Sequence, residues 1–381
     1  MDDVLKVAEE FVAQGTITNL REYGSGNIND TYLVSVNSGV QAQFILQRIN
    51  THVFNRPEWI IRNMRTFGAH MQQKLQNGAN GSQPRHTTGS AKRVRHWEIP
   101  IIRPTRSQQD FHIDGQGSFW RAISFIAASR SYDTVQSENH AREAGYALGQ
   151  FQSLVSDLDP GLLHDTLVGF HITPHYLAQY DATLATRPPV PATPEVRYCH
   201  NLIAKRRAWI PVLEEARTTG KLKVRTIHGD PKINNIMISD WNGQAISVVD
   251  LDTVKPGLVH YDIGDCLRSS CNPLGEETTD FEHVRFETDL AYAILDGYFS
   301  VAYEFLEACD YHYLYDAIRL LTFELGLRFF ADYLAGNVYF KIRHPEHNLE
   351  RAMVQFKLTE SIEVQENSLR KIIADLQPVL I

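Results

Sequence analysis

Residues 226–252 constrain this chain more than any other stretch. They read Thr-Ile-His228-Gly-Asp230-Pro-Lys232-Ile-Asn-Asn235, an apolar run at 236–238, Asn242-Gly243, a second apolar run at 245–249, then Asp250-Leu-Asp252. Pro231 lacks a backbone donor and restricts its predecessor, so the segment after Asp230 cannot begin as a helix. Asn-Gly is the strongest short-range hairpin signal, because both central residues of a type I′ turn need positive φ. In the register a two-residue turn sets, Asn235 lies directly opposite Asp250, with Cβ atoms about 4.5–5.5 Å apart. That spacing suits two oxygen ligands sharing one small hard cation, and Mg2+ fills the rest of its shell with phosphate oxygens and water. Asp230 is then a carboxylate beside the metal, free to accept a proton. Asp and Asn beside short strands also serve turns and caps. It is the combination that predicts a phosphoryl-transfer site.

Bulk properties exclude several classes. With 381 residues, 43% hydrophobic and 22% charged, the chain has ample core for two domains or one two-lobed unit. A net charge of −8 argues against a nucleic-acid or anionic-membrane surface, which needs a basic footprint. Cys199, Cys266, Cys271 and Cys309 show no paired metal-ligand spacing and read as free thiols. The acidic N-terminus opens an amphipathic helix rather than a signal peptide, and no apolar run approaches the roughly 20 residues of a membrane span. A cytoplasmic protein is expected; oligomeric state is left open.

The order of elements supports a cleft. Val4, Ala8, Phe11 and Val12 share one helical face. Strand-like runs then flank Gly24-Ser25-Gly26-Asn27, a turn whose backbone N–H groups can approach phosphates closely. A third strand spans 43–49, a helix 57–75, and residues 77–93 form a Gly-, Ser-, Gln- and Asn-rich insertion expected to be mobile. Strands at 99–104 and 119–126 complete a small sheet. Beyond 127 the pattern is mostly helical. The expected architecture is α+β, with lobes at 1–126 and 127–381.

At this point the chain resembles the aminoglycoside phosphotransferase and choline kinase superfamily. The loop His228-Gly229-Asp230…Asn235 and the element Val249-Asp250-Leu251-Asp252 carry the resemblance in the right order. It implies a protein-kinase-like fold: a small N-terminal antiparallel-sheet lobe holding ATP, and a larger, mainly helical C-terminal lobe for catalysis and substrate. It also implies Asp230 as catalytic base, Asn235 and Asp250 as Mg2+ ligands, Lys232 on the γ-phosphate, and Asp262 with His228 as supports of the loop. Asp252 either meets a second metal or caps the strand. Gly24, Ser25, Gly26, Asn27, Phe125 and Ile126 would border the nucleotide.

Further stretches, among them Phe44-Ile-Leu-Gln-Arg-Ile-Asn50, Phe119-Trp-Arg-Ala-Ile-Ser-Phe125-Ile126 and Glu324-Leu-Gly-Leu-Arg328-Phe-Phe-Ala-Asp332, are similar to the N-acetylhexosamine 1-kinase family. The resemblance implies phosphorylation of an anomeric hydroxyl, with Asp230, Arg328 and Tyr339 at the sugar. Glu324, Arg328 and Asp332 recur every four residues along one helix face, which would offer donors and acceptors to a polyol. The same fold also serves aminoglycoside, choline, homoserine and methylthioribose acceptors, and a non-catalytic nucleotide-binding regulator would keep it too. One position departs from the superfamily. Where relatives place a cationic residue on the third strand, this chain has Gln47-Arg48, only one of which can face the nucleotide. Arg48 is the better phosphate partner by chemistry, Gln47 by register. Glu58 is the only acidic residue on the following helix, at its start.

Overall fold

Period-two alternation builds the first lobe. β1 (Thr16–Glu22), β2 (Asp30–Asn37), β3 (Gln41–Ile49), β4 (Ile102–Arg103), β5 (His112–Ile113) and β6 (Phe119–Ser124) form one antiparallel sheet, ordered β1-β2-β3-β6-β4, with β5 also paired to β6. The computed structural model describes residues 2–24, 28–38, 41–81, 95–188 and 190–377. Val34, Val36, Phe44, Leu46, Trp120 and Ala122 turn to one face and pack beneath α1 (Asp2–Glu10) through Val7, Ala8 and Phe11. Leu33, Ile45, Ile49, Phe119 and Ile123 turn to the other face, against Ile60, Met64 and Phe67 of α2 (Pro57–Gly81). The helix runs six residues past its expected end at 75. Of the expected 77–93 insertion, residues 82–93 lie outside the described residues.

The second lobe is helical around two small sheets. Its helices are α3 (Glu138–Val155), α4 (Thr173–Thr186), α5 (Pro194–Arg206), α6 (Val212–Thr218), α7 (Val259–Ser270), α8 (Thr288–Ala302), α9 (Ala308–His312), α10 (Leu314–Ala335), α11 (His347–Val364) and α12 (Glu366–Leu376). After Phe125 and Ile126, β7 (Ser129–Arg130) joins β9 (Ile236–Ser239) and β10 (Ala245–Val248), while β8 (Arg225–Ile227) pairs with β11 (Lys255–Gly257). The α3–α8 contact depends on glycine: a Cβ at Gly145 would strike the Ile294 carbonyl, and one at Gly297 the Arg142 carbonyl. The architecture is α+β, sheet first and helices after, as the resemblance implied. Ile45, Phe119, Phe151, Ile236, Val248 and Leu251 belong to one buried cluster, so core packing continues across residue 126. Among the described residues no helix is long and apolar enough to cross a membrane. Cys199, Cys266 and Cys271 are buried thiols and Cys309 an exposed one.

The hairpin differs from its expected register. Ser239 N–H donates to the Gln244 carbonyl at 2.8 Å, so the turn holds four residues, and Asn242 is not among the positive-φ positions. An irregularity at Ile246 then shifts the ladder by one, from Ala245 opposite Ile238 to Ser247 opposite Met237. Asn235 therefore faces Val249, whose N–H donates to the Asn235 carbonyl at 2.8 Å. Asp250 falls one residue beyond the ladder, at φ 63° and ψ 58°.

Candidate active site

Asp262, fully buried near the start of α7, organises the loop between β8 and β9. Its Oδ2 accepts from His228 N–H at 2.8 Å and from Gln152 Nε2 at 2.9 Å, and its Oδ1 accepts from Gly229 N–H at 2.8 Å. Gly229 takes φ 87° against Thr253, where a Cβ would collide with the Thr253 carbonyl. Burial pushes the His228 imidazole below its ordinary value. A neutral ring fits both contacts: Nε2–H donates to the Val249 carbonyl at 3.0 Å, and Nδ1 accepts from Asp230 N–H at 3.2 Å.

The chemistry-bearing groups converge on this frame. Asp230 Oδ2 lies 2.9 Å from Lys232 Nζ. Burial alone would raise the Asp230 carboxyl, but the charges of Lys232 and Arg268 outweigh it and hold it below the ordinary range. Lys232 is in turn pushed up: burial opposes its charge, and Asp230 and Asp250 more than compensate. Asn235 Nδ2 donates to the Asp230 carbonyl at 2.7 Å, and its Oδ1 accepts no hydrogen bond from the described residues. Asp250 keeps contact with solvent, yet the protein crowded around its carboxyl strips part of its hydration. The carboxyl is pushed up to about 7, first by that partial desolvation and then by Asp252 and Asp230.

An amide oxygen that accepts nothing from the described residues, and a carboxylate on the following strand end crowded by like charges, are groups short of positive charge. Among the described residues no three His, Cys, Asp or Glu side chains are grouped to hold a metal unaided. One carboxylate and one carboxamide fit Mg2+, which leaves most of its shell to phosphate and water. Asp250→Asn tests the charge without disturbing the backbone, since Asn tolerates the left-handed conformation. The expected result is an unchanged melting temperature and a loss of at least about 100-fold in kcat, the scale of one lost transition-state electrostatic contact.

On the nucleotide side, strand alternation settles which residue of the Gln47-Arg48 pair faces the cleft. Arg48 shares the face of Phe44 and Leu46; its guanidinium pairs with Asp30 and lies 5.7 Å over the Trp120 ring. It points away from the cleft, which corrects the expectation that Arg48 meets the nucleotide. Gln47 faces the other side, where the cation is Arg121 on the neighbouring strand β6. Arg121 donates through Nε and Nη2 to Gln47 Oε1 at 3.0 and 2.7 Å, sets Nη1 3.1 Å from Met64 Sδ, and pairs with Asp252. Asp252 is buried, and its second oxygen accepts from Asn29 Nδ2 at 2.6 Å. Each oxygen thus holds a side chain of the first lobe, and neither accepts from an N–H of β10. Arg121 was missed from sequence, although an arginine at an inward strand position between Trp120 and Ala122 was the available signal. Gly24 takes φ 81° with open space where a Cβ would stand; Ser25, Gly26 and Asn27 lie outside the described residues. The Phe125 ring meets Tyr23 edge-on at 5.8 Å, and Ile126 clusters with Met237 and Ile246 at the connector.

The residues expected at the acceptor centre on α10. Glu324 Oε1 lies 3.0 Å from His171 Nδ1, and Oε2 accepts from Thr173 Oγ1 at 2.7 Å. Asp332 Oδ1 accepts from the N–H groups of Val338 and Tyr339, both at 2.9 Å, and Oδ2 from Phe340 N–H and Asn348 Nδ2, both at 3.0 Å. These two carboxylates work inside the fold, which corrects the expectation that they reach a ligand directly. Arg328 differs. Its guanidinium lies 5.0 Å from the rings of Phe170 and Tyr176 and 5.5 Å from Phe340, and it pairs with no carboxylate among the described residues. Burial opposes its charge, while Tyr176, Tyr339, Glu324 and Asp265 raise its pKa. Tyr339, 45% exposed, packs edge-on to Phe340 at 4.8 Å. Asp265 is a further residue sequence reasoning did not select. Arg268 holds its Oδ1 at 2.9 and 2.8 Å, and its buried Oδ2 has no partner among the described residues.

The phosphotransferase enzyme family matches residues 19–308 of the chain. Solved structures share the fold at low identity. An aminoglycoside phosphotransferase from Alicyclobacillus acidocaldarius matches with a TM-score of 0.59 and 15% identity, covering 97% of this chain and 96% of that one. A choline kinase from Cryptosporidium parvum matches with a TM-score of 0.55 and 12% identity over 95% and 92% of the two chains. An amicoumacin kinase in complex with AMP-PNP and Ca2+ matches with a TM-score of 0.53 and 14% identity over 98% and 93%.

Proposed function

Because the chain belongs to the phosphotransferase enzyme family, we propose that it is an ATP- and Mg2+-dependent kinase acting on a sugar hydroxyl, best the anomeric hydroxyl of an N-acetylhexosamine. In this reading residues 1–126 hold the nucleotide and residues 127–381 supply the base, the metal ligands and the acceptor pocket. Asn235 Oδ1 and Asp250 would hold Mg2+, which supplies charge that the phosphates need. Gly24 would lie by the phosphates, Phe125 and Ile126 would border the base, and Lys232 would neutralise charge on the transferred group. Asp230 orients the acceptor hydroxyl and takes its proton. A loose transition state leaves most of the rate to positioning and electrostatics.

The observation that carries the acceptor class is Arg328. A guanidinium with free N–H donors in an aromatic surround suits carbonyl and hydroxyl oxygens, and it repels the cations of choline or an aminoglycoside. Tyr339 beside it offers a ring face and a hydroxyl to a sugar. The deciding experiment is Mg2+/ATP-dependent phosphorylation of N-acetylglucosamine, N-acetylgalactosamine, choline, kanamycin, homoserine and methylthioribose, with the phosphate located by NMR. Phosphate on C1 of an N-acetylhexosamine supports the reading; phosphate on C6, or transfer only to a cationic acceptor, overturns it. Arg328→Met is expected to raise the acceptor KM by about 10-fold or more, since a bound polar ligand loses charge-assisted hydrogen bonds worth about 1.5–3 kcal/mol. The KM for ATP is expected to stay at its wild-type value.

A further inference from the structure

The segment before α4 holds a histidine that neither the base nor the acceptor contacts account for. His171 is buried and takes φ 67°, an uncommon conformation for a residue with a side chain. Its peptide neighbours are fixed by Lys255, whose Nζ donates to the carbonyls of Leu167 and Phe170 at 3.1 and 3.2 Å and pairs with Asp165 at 3.0 Å. The ring lies between Phe170, at 3.9 Å, and Tyr261, at 5.6 Å. Nδ1 stands 3.0 Å from Glu324 Oε1, and Nε2 stands 2.7 Å from the Gly229 carbonyl.

Both of those neighbours are acceptors. A carbonyl oxygen has no proton to give, and Glu324 is a carboxylate whose other oxygen already accepts from Thr173. A neutral imidazole carries a single N–H and would set a lone pair against an oxygen at one of the two contacts. We propose that His171 is a charged positioning residue, an imidazolium that ties the acceptor helix α10 to the backbone carbonyl immediately before Asp230. Glu324 and Arg328 lie one turn apart on α10, so the bridge sets the residue facing the acceptor and the residue receiving its proton in one register. The inference rests on reading Asp230 as the base.

The electrostatic surroundings agree. Burial opposes the charge, but Glu324, Asp265 and the Gly229 carbonyl outweigh it and raise the His171 pKa. The other titratable groups near the ring are Tyr261 on α7, Tyr176 on α4 and Arg328 on α10. With the folded value above the unfolded one, the stabilisation is complete below about pH 6.5 and is lost as pH rises through the folded value.

The test is 15N NMR of the full chain labelled at histidine, with the His171 signals identified by their loss in His171→Asn. Both ring nitrogens are expected to be protonated at about pH 7.5, roughly one unit above the ordinary imidazole value. Glu324→Gln keeps the shape of the partner and removes its charge. It is expected to leave the ring singly protonated at the same pH and to lower kcat about 10-fold or more, with the KM for ATP unchanged. A singly protonated ring in the wild-type chain overturns the proposal, and so does a wild-type kcat in Glu324→Gln. The spectrum needs no acceptor, so a wrong assignment of the sugar would leave the protonation result standing.

Discussion

Asp230→Asn is expected to lower kcat by about 100- to 10,000-fold, the range spanned by a positioned general base, without loss of the fold. The substitution keeps the side-chain shape. It leaves Lys232 without its partner, but that side chain is 36% exposed and water can solvate it. Asn235 also survives the change, because its Nδ2 holds the Asp230 backbone carbonyl at 2.7 Å and reaches the carboxylate only at 3.5 Å. The companion measurement is the acid limb of the rate profile. Lys232 holds the Asp230 carboxyl low, so the wild-type limb should fall below the ordinary carboxylate range. Lys232→Met removes that ammonium and should move the limb up in pH, as well as reducing kcat through the phosphate. A wild-type turnover in Asp230→Asn, or an acid limb that ignores Lys232, would rule out the assignment.

The residues with local signatures were legible in the sequence, and those defined by distant partners were not. His228, Asp230 and Asn235 lie within eight positions of each other, and their closeness follows from a Pro-containing loop between two short strands. Asp262 was legible only through the family resemblance, and its carboxylate does hold the N–H groups of His228 and Gly229. The register of the hairpin was not legible. Asn242-Gly243 encodes a turn, but nothing at Ile246 marks the irregularity that sets Val249, not Asp250, opposite Asn235. The Gln47-Arg48 ambiguity needed only the neighbours Phe44 and Leu46, whose burial under α1 fixes Arg48 on the outer face. Charge spacing on α10 predicted one polar face for Glu324, Arg328 and Asp332. It could not show that His171 and Asn348 occupy two of the three, because these partners are set by packing between segments remote in sequence.

Arg121 is the clearest case of such a remote partner, and it leads to the largest expected stability effect. The guanidinium and the Asp252 carboxylate are 1% and 2% exposed, and they join β6 to the turn that carries Asp250. Arg121→Met leaves a buried carboxylate with Asn29 as its remaining side-chain partner. Breaking one side of a buried pair costs about 3–5 kcal/mol, because the desolvated partner is left uncompensated. The prediction is an unfolding free energy lowered by that amount, read as a lower denaturant midpoint with the slope unchanged. Arg121→Lys should recover part of the loss, since a single ammonium can reach Asp252 but cannot also span Gln47 as the fork does. Adding Asp252→Asn to Arg121→Met should recover part of it as well, because the orphaned charge is gone; the two changes are then non-additive. That coupling distinguishes an electrostatic clasp from simple loss of packing against Met64, for which the double variant would be at least as unstable as Arg121→Met alone. The pair also supplies the buried face of the sheet with its cation: β3 sets Gln47 there, and Arg121 on the neighbouring strand meets a carboxylate two residues after Asp250.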